Sequence, residues 1–447
     1  MFAIKNIAVG AITAGAIALF GMQSAQAALP IQHWVQPSGV AVYLVESPSV
    51  PMVDVQVDFD AGSRRDPAAQ AGLASVMAGM TAKGLRAVGS EPALDENALG
   101  EAWADLGAAF SASASSDRMS FSLRSLTYPD LLARAVALAA RQLAEPSFPP
   151  EVWARERERL GASIREANTR PATVAARAFS QGVYGTHPYG YEMTEETLAR
   201  ISVADMQALQ ARAVRPCAAK VSIVGAVTRA QADTLVTQLL ARLPVGGCEA
   251  QPAVGEVAAL TQASEQHIPF DSAQAHVLIG QPGYKRDDPD FFPLLVGNYI
   301  LGGGGFVSRL TTEVREKRGL SYSVYSYFAP ALHAGAYTVG LQTRPDQAAQ
   351  AVQVAREVVR KFVAEGPTEA ELKAAKDNLI GGFALRIDSN RKLLDNVANI
   401  AWNKLPLDYL DTWTQQVARV TVADIKAAFA RKLQPERMVT VVVGGKP

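Results

Sequence analysis

Leu198-Ala-Arg-Ile-Ser-Val-Ala-Asp205 returns later in the chain as Val417-Ala-Arg-Val-Thr-Val-Ala-Asp424. The offset is 219 residues, and it carries Pro216 onto Pro435 and Gly225 onto Gly444 without a gap. Each copy reads the same way. Ser202 or Thr421 stands as a helix N-cap with an Asp three residues on, close to a capping box. A helix follows, then a proline, then a β-branched strand (Lys220 to Val224; Met438 to Val443) that ends in glycine. Working outward, the helices Glu151 to Glu166 and Glu369 to Ala384 align at the same offset. Near the start of each half the offset drifts to 221 or 222. There Val53 to Phe59 and Ala275 to Gly280 read as strands, each followed by a turn ending in Asp-Pro (Asp66-Pro67 and Asp288-Pro289).

The chain is therefore an internal duplication. We expect two homologous domains, 28–247 and 264–447, each of ordinary domain size. The linker, 248–263, falls in the poorly periodic, Pro- and Gly-containing stretch Pro244 to Ala263. Strands and long helices alternate irregularly, with hairpin-like strand pairs. That predicts an α+β fold, each half a mostly antiparallel sheet flanked by helices. Two similar lobes facing one another would place a cleft between them.

Composition narrows the function. Of 447 residues, 49% are hydrophobic and 19% charged, and 43 basic residues balance 43 acidic ones. Nothing in that balance points to nucleic acid or an anionic membrane as partner. Ile7 to Phe20 is an apolar run behind Lys5, and Ala25-Gln-Ala27 is a small-x-small cleavage site. Residues 1–27 thus read as a signal peptide, and the mature chain is expected in the periplasm. The run is short for a membrane span, and no Cys at the cleavage point offers a lipid anchor. The two cysteines, Cys217 and Cys248, either pair in that oxidising space or remain separate thiols. Helix Arg229 to Leu243 brings the chain back so that both lie at the same end. The five histidines, His33, His187, His267, His276 and His333, include no two that are three or four residues apart. There is no G-x-S-x-G, and no Cys has a plausible His partner.

The turn Gly62-Ser-Arg64, the helix opening Gly72-Leu-Ala74 and the turn Tyr184-Gly-Thr-His-Pro-Tyr-Gly190 closely resemble the inverted-zincin peptidases of the pitrilysin, insulinase and processing-peptidase type. Catalytic members follow Gly-Leu-Ala with His-x-x-Glu-His. Two His at i and i+4 share one helix face and one zinc, and the Glu activates the bound water. Here Ser75 and Gly79 stand where the two His belong, and Ala78 stands where the base belongs. The family's third ligand, a Glu roughly 75 residues on, falls on Glu156 or Glu166, and spacing does not decide between them. One carboxylate does not hold zinc.

The second half carries the more specific signal. Glu313-Val-Arg315-Glu-Lys-Arg-Gly-Leu-Ser-Tyr322-Ser-Val resembles the family's second-domain signature, in which an Arg and a Tyr seven residues apart reach into the active chamber. Arg315 and Tyr322 have that spacing. A guanidinium with only donors and a phenol O–H can hold peptide carbonyls and steady an oxyanion. Before them, Gly302, Gly303, Gly304 and Gly305 read as a flexible loop ahead of a helix from Val307 to Lys317. With no Lys-Ser/Thr after it, the run is not a phosphate loop. The resemblance implies a loop that touches substrate; the other reading is a plain linker.

These readings lead to one expectation. The chain binds no cofactor itself. It serves as the non-catalytic, substrate-binding subunit beside a zinc-carrying peptidase subunit of the same family, and the pair closes around an unfolded peptide. Arg315 and Tyr322 act in trans. A scaffold or peptide-binding protein of the same fold, with no proteolytic role, is the alternative. A third reading is an independent peptidase with a remade metal site.

Overall fold

The computed structural model describes residues 30–246 and 251–445. The expected signal peptide, 1–27, lies outside the described residues, as does Cys248.

The first half builds a six-stranded sheet in the order Gln32–Val35, Ala41–Glu46, Lys220–Gly225, Met52–Phe59, Met119–Leu126, Ala109–Ala114. The second builds five strands in the order Val324–Phe328, Ala336–Thr343, Ala275–Pro282, Val439–Val443, Ser264–Ile268. Reversed, the second order matches the first strand for strand, leaving Gln32–Val35 as an addition. The one parallel pairing recurs too: Ala41–Glu46 beside Lys220–Gly225, and Ser264–Ile268 beside Val439–Val443. All other pairings in these sheets are antiparallel. The fold is α+β and duplicated. The capping boxes at Ser202 and Thr421 are both made, each with its Asp reaching back to the cap.

Period-two alternation explains the central strand of the first sheet. Val53, Val55, Val57 and Phe59 enter a core shared with helices Leu73–Met80, Pro129–Ala144 and Arg229–Leu240. Asp54, Gln56 and Asp58 point to the opposite face, yet they are buried. The reason is a crossover between the halves. Helix Asn390–Asn403, from the second half, packs on this face of the first sheet. Helix Pro171–Tyr184, from the first half, packs on the matching face of the second sheet, against Ala275–Pro282 and Val439–Val443. These helices are themselves 219 residues apart, end to end. Each repeat thus lends the same helix to the other. The strand Val439–Val443, covered on both faces, is a continuous buried run, Val-Thr-Val-Val-Val, as a doubly covered strand should be.

A seam of polar contacts ties the lobes together. Asp117 Oδ1 accepts from Tyr189 Oη at 2.6 Å and Arg64 Nε at 3.1 Å, while Oδ2 accepts from the Leu332 amide at 3.0 Å. Tyr189 Oη in turn accepts from the His333 amide at 3.1 Å. So the Gly62-Ser-Arg64 and His-Pro-Tyr-Gly turns converge on one carboxylate that reaches the second lobe. The linker is strapped across the same place. His187 Nε2 lies 3.0 Å from Gly255 O, and Glu256 lies between Lys285, at 3.1 Å, and His333, at 3.2 Å.

Candidate functional site

The opening helix of the first half, Leu73–Met80, begins at Gly72, whose φ of 103° belongs to the left-handed region. Asp66 caps it, accepting from the Gly72 amide at 2.9 Å and the Ala74 amide at 3.0 Å. Burial pushes the Asp66 carboxyl up to about 6 against those hydrogen bonds. Ser75 and Gly79, one helical turn apart, are both exposed, and Ala78 is buried. A Cβ built on Gly79 would meet nothing within 4 Å. The positions share an open face, as ligands must, but they offer a hydroxymethyl and a hydrogen.

The structure separates the two candidate carboxylates. Glu166 is exposed, and its one ionic neighbour among the described residues is Arg170 at 3.9 Å. Glu156 is buried on helix Pro150–Ala167 and takes Arg159 at 2.7 Å and Lys83 at 3.3 Å. Lys83 follows Gly79 by four residues, so it reaches Glu156 from the end of the opening helix. Burial raises the Glu156 carboxyl, but Arg159 and Lys83 outweigh that and hold it below its ordinary value. Lys83 and Arg159 supply positive charge to this glutamate. Among the described residues, no group of three or more His, Cys, Asp or Glu is placed to hold a metal ion. The residues present do not fit zinc.

Arg315 and Tyr322 do come together. The Arg315 guanidinium lies 4.8 Å from the Tyr322 ring centroid, and equally 4.8 Å from that of Phe306. It is stacked against two rings by cation–π contact. The neighbouring cations are spent on Glu313: Lys317 and Arg318 each approach it at 2.7 Å. Arg315 has no carboxylate partner among the described residues. Tyr322 is 81% exposed and Phe306 70%, so the cluster stands at the surface. It sits on the second lobe, and no hydrogen bond, ion pair or ring contact joins it to the opening helix among the described residues. Phe306 was not legible: it lies nine residues before Arg315, across two turns, and no local spacing ties them.

The glycine run is built differently from an open loop. Residues Tyr299–Gly303 form a wide π-type turn that continues helix Phe291–Asn298, and Gly305–Val307 a tight turn. The helix expected from Val307 to Lys317 forms only from residue 309, and most of it, Thr311–Glu316, is a wide π-helix. Gly302 is buried against the edge strand Val324–Phe328. A Cβ there would fall 2.3 Å from Ser326 Oγ and 2.5 Å from its backbone nitrogen. Asn298 locks the contact: its Nδ2 donates to Ser326 O at 3.0 Å, and Ser326 Oγ donates to its Oδ1 at 2.7 Å. The middle of that strand's outer edge is thereby covered. Gly305, at φ 61° and with open space around it, needs glycine for its backbone alone.

Of the remaining candidates, Cys217 is disulfide-bonded. No helix among the described residues is long and apolar enough to cross a membrane.

Comparison with known proteins follows the same division. A family model described as insulinase (peptidase family M16) matches residues 41–197, and one described as peptidase M16 inactive domain matches residues 200–379. A crystal structure of a peptidase M16 inactive domain from Pseudomonas fluorescens superposes with a TM-score of 0.88 at 32% identity, covering 94% of this chain and 98% of that one. An uncharacterized zinc protease of Mycobacterium leprae is 28% identical over 297 residues, a match spanning 65% of each chain. A protein of Helicobacter pylori named non-peptidase homolog YmxG is 24% identical over 431 residues, 94% of this chain and 95% of that one.

Proposed function

The chain belongs to the peptidase M16 family, and from that premise we propose that it is the substrate-binding, non-catalytic subunit of a heteromeric periplasmic peptidase that cuts unfolded peptides. Bond cleavage belongs to a second, zinc-carrying subunit of the same family. The observation that carries this reading is Arg315: a half-buried guanidinium with no acid partner among the described residues, stacked on the exposed rings of Phe306 and Tyr322, in a chain whose opening helix offers Ser75, Ala78 and Gly79.

The chemistry follows from the stack. Aromatic rings against a guanidinium face leave its N–H groups available at the edges, in the plane. That plane is where a peptide carbonyl accepts. Tyr322 adds an O–H donor beside it. Together they hold the peptide backbone next to the cut and donate to oxygen as charge develops there.

The test uses the complex purified with its catalytic partner. Arg315→Ala with Tyr322→Ala is expected to lower cleavage of a flexible peptide by roughly 10²-fold or more, the scale of losing oxyanion donors, with assembly by size exclusion unchanged. Arg315→Lys keeps the charge but loses the planar fork, so it recovers only part. Full activity in the double variant refutes the assignment. Peptide binding with no associated peptidase would instead favour the scaffold.

A further inference from the structure

The exchanged helices provide an internal control. Pro171–Tyr184 and Asn390–Asn403 lie on equivalent sheet faces, so their residues compare one to one. Where the second has Arg391, Leu394 and Asp395, the first has Ala172, Ala175 and Ala176. On the first sheet the space is taken up. Leu394 is buried, and Arg391 lies 3.7 Å from Asp395. Trp402 is packed under Arg118 and Lys220, at 5.6 and 4.8 Å from its ring centroid. On the second sheet the three alanines leave a cavity of about 370 Å³, within the range of ligand pockets.

Its chemistry is one-sided. Leu278 and Thr338 are part of its floor, Phe179 lies over Gly280, and Tyr325 and Tyr327 stand at its mouth with rings 6.0 Å apart. Among the described residues, no Asp, Glu, Lys or Arg lines it. Burial lowers the pKa of His276, its one titratable imidazole, and so favours the neutral ring. Charged ligands gain nothing here. The cavity also adjoins the Arg315–Tyr322 cluster: Ser323, next to Tyr322, lines it, and Tyr325 and Tyr327 follow on the same strand.

We propose that this cavity is a specificity pocket for the peptide held by Arg315 and Tyr322, and that it takes a bulky apolar or aromatic side chain of that peptide. The inference rests on the function proposed above and adds the substrate class.

The test measures binding of two flexible peptides, identical but for one Trp or Ala, to the full-length mature chain by fluorescence anisotropy. The Trp peptide is expected to bind roughly tenfold or more tightly, the scale of burying one large side chain. Ala176 is on the exposed side of its helix, so Ala176→Leu, which fills the cavity, and Ala176→Asp, which copies the sister helix, should both fold; thermal unfolding checks this. Either is expected to bring the Trp-to-Ala preference close to one without weakening the Ala peptide. Equal affinities in the parent chain, or an unchanged preference in folded Ala176 variants, overturns the pocket. Arg315→Ala with Tyr322→Ala should weaken both peptides alike and keep their ratio. If it weakens neither while the preference persists, the Arg–Tyr reading fails and the pocket stands.

Discussion

Gly302→Ala separates a packed glycine run from a slack one, because the two predict opposite signs. In slack chain the substitution removes unfolded-state freedom and stabilises by about 0.4–1 kcal/mol. Here the new methyl would fall 2.3 Å from Ser326 Oγ, 2.5 Å from Ser326 N and 2.8 Å from Leu310 Cδ1. Two of those three atoms are fixed, one as strand backbone and one by its hydrogen bond to Asn298. Overpacking of this kind costs about 1–3 kcal/mol. Taking about 2 kcal/mol for a lobe of this size, thermal unfolding should fall by about 4–8 °C. Gly305→Ala is the control: it meets open space but keeps φ at 61°, so its cost is the left-handed strain alone, about 1–2 kcal/mol, and Gly305→Asn should recover much of it. Calorimetry of the three variants decides. A Gly302→Ala protein that unfolds at or above the parent temperature refutes the packing argument.

Asp117→Ala should be severe, about 3–5 kcal/mol, because it leaves the Arg64 guanidinium, with a side chain only 4% exposed, short of one partner and strands Tyr189; denaturant unfolding measures it. Acid should loosen the same seam. His187 Nδ1 accepts from the Tyr189 amide, so its proton sits on Nε2, toward Gly255 O. Burial first, and His333 beside it, lower its pKa below 6.5. A lowered folded value means that its contribution is present above 6.5 and is lost as pH falls through the folded value; hydrogen exchange at 251–256 should quicken there, and a flat profile would refute it. Rebuilding the metal motif with Ser75→His, Ala78→Glu and Gly79→His should yield poor zinc retention after dialysis until Lys83→Ala together with Arg159→Ala removes both cations from Glu156, Lys83→Ala alone freeing only Oε1, and the pair should then improve affinity by roughly 10-fold or more. Equal retention with and without the two cations would show that they are irrelevant.

Much of the fold was legible because both copies keep the signals that act locally. The cap-Asp boxes at Ser202 and Thr421 and the glycines ending the following strands are set by neighbours in sequence, so duplication preserved them visibly. The helix exchange was not legible. Both exchanged helices have an apolar stripe, and a stripe does not say which sheet will bury it. The alternation of Asp54, Gln56 and Asp58 reads as a wet strand face, and only the far helix makes it a buried one. In the site, the resemblance of the string Glu313 to Val324 to the family's second-domain signature, and not the seven-residue spacing by itself, pointed to Arg315 and Tyr322. Spacing left Glu156 and Glu166 equal, and burial against Lys83 distinguishes them. Phe306 and the alanine-lined cavity depend on how remote segments approach, information no single stretch contains.

The lent helices also bear on how such a chain arose. A half-length ancestor would have had a bare inner sheet face and a spare helix, and two copies satisfy both needs by trading arms. Joining the genes adds only a tether. Cutting that tether near residues 251–256 should therefore release nothing: the pieces stay clasped, each completing the other's architecture.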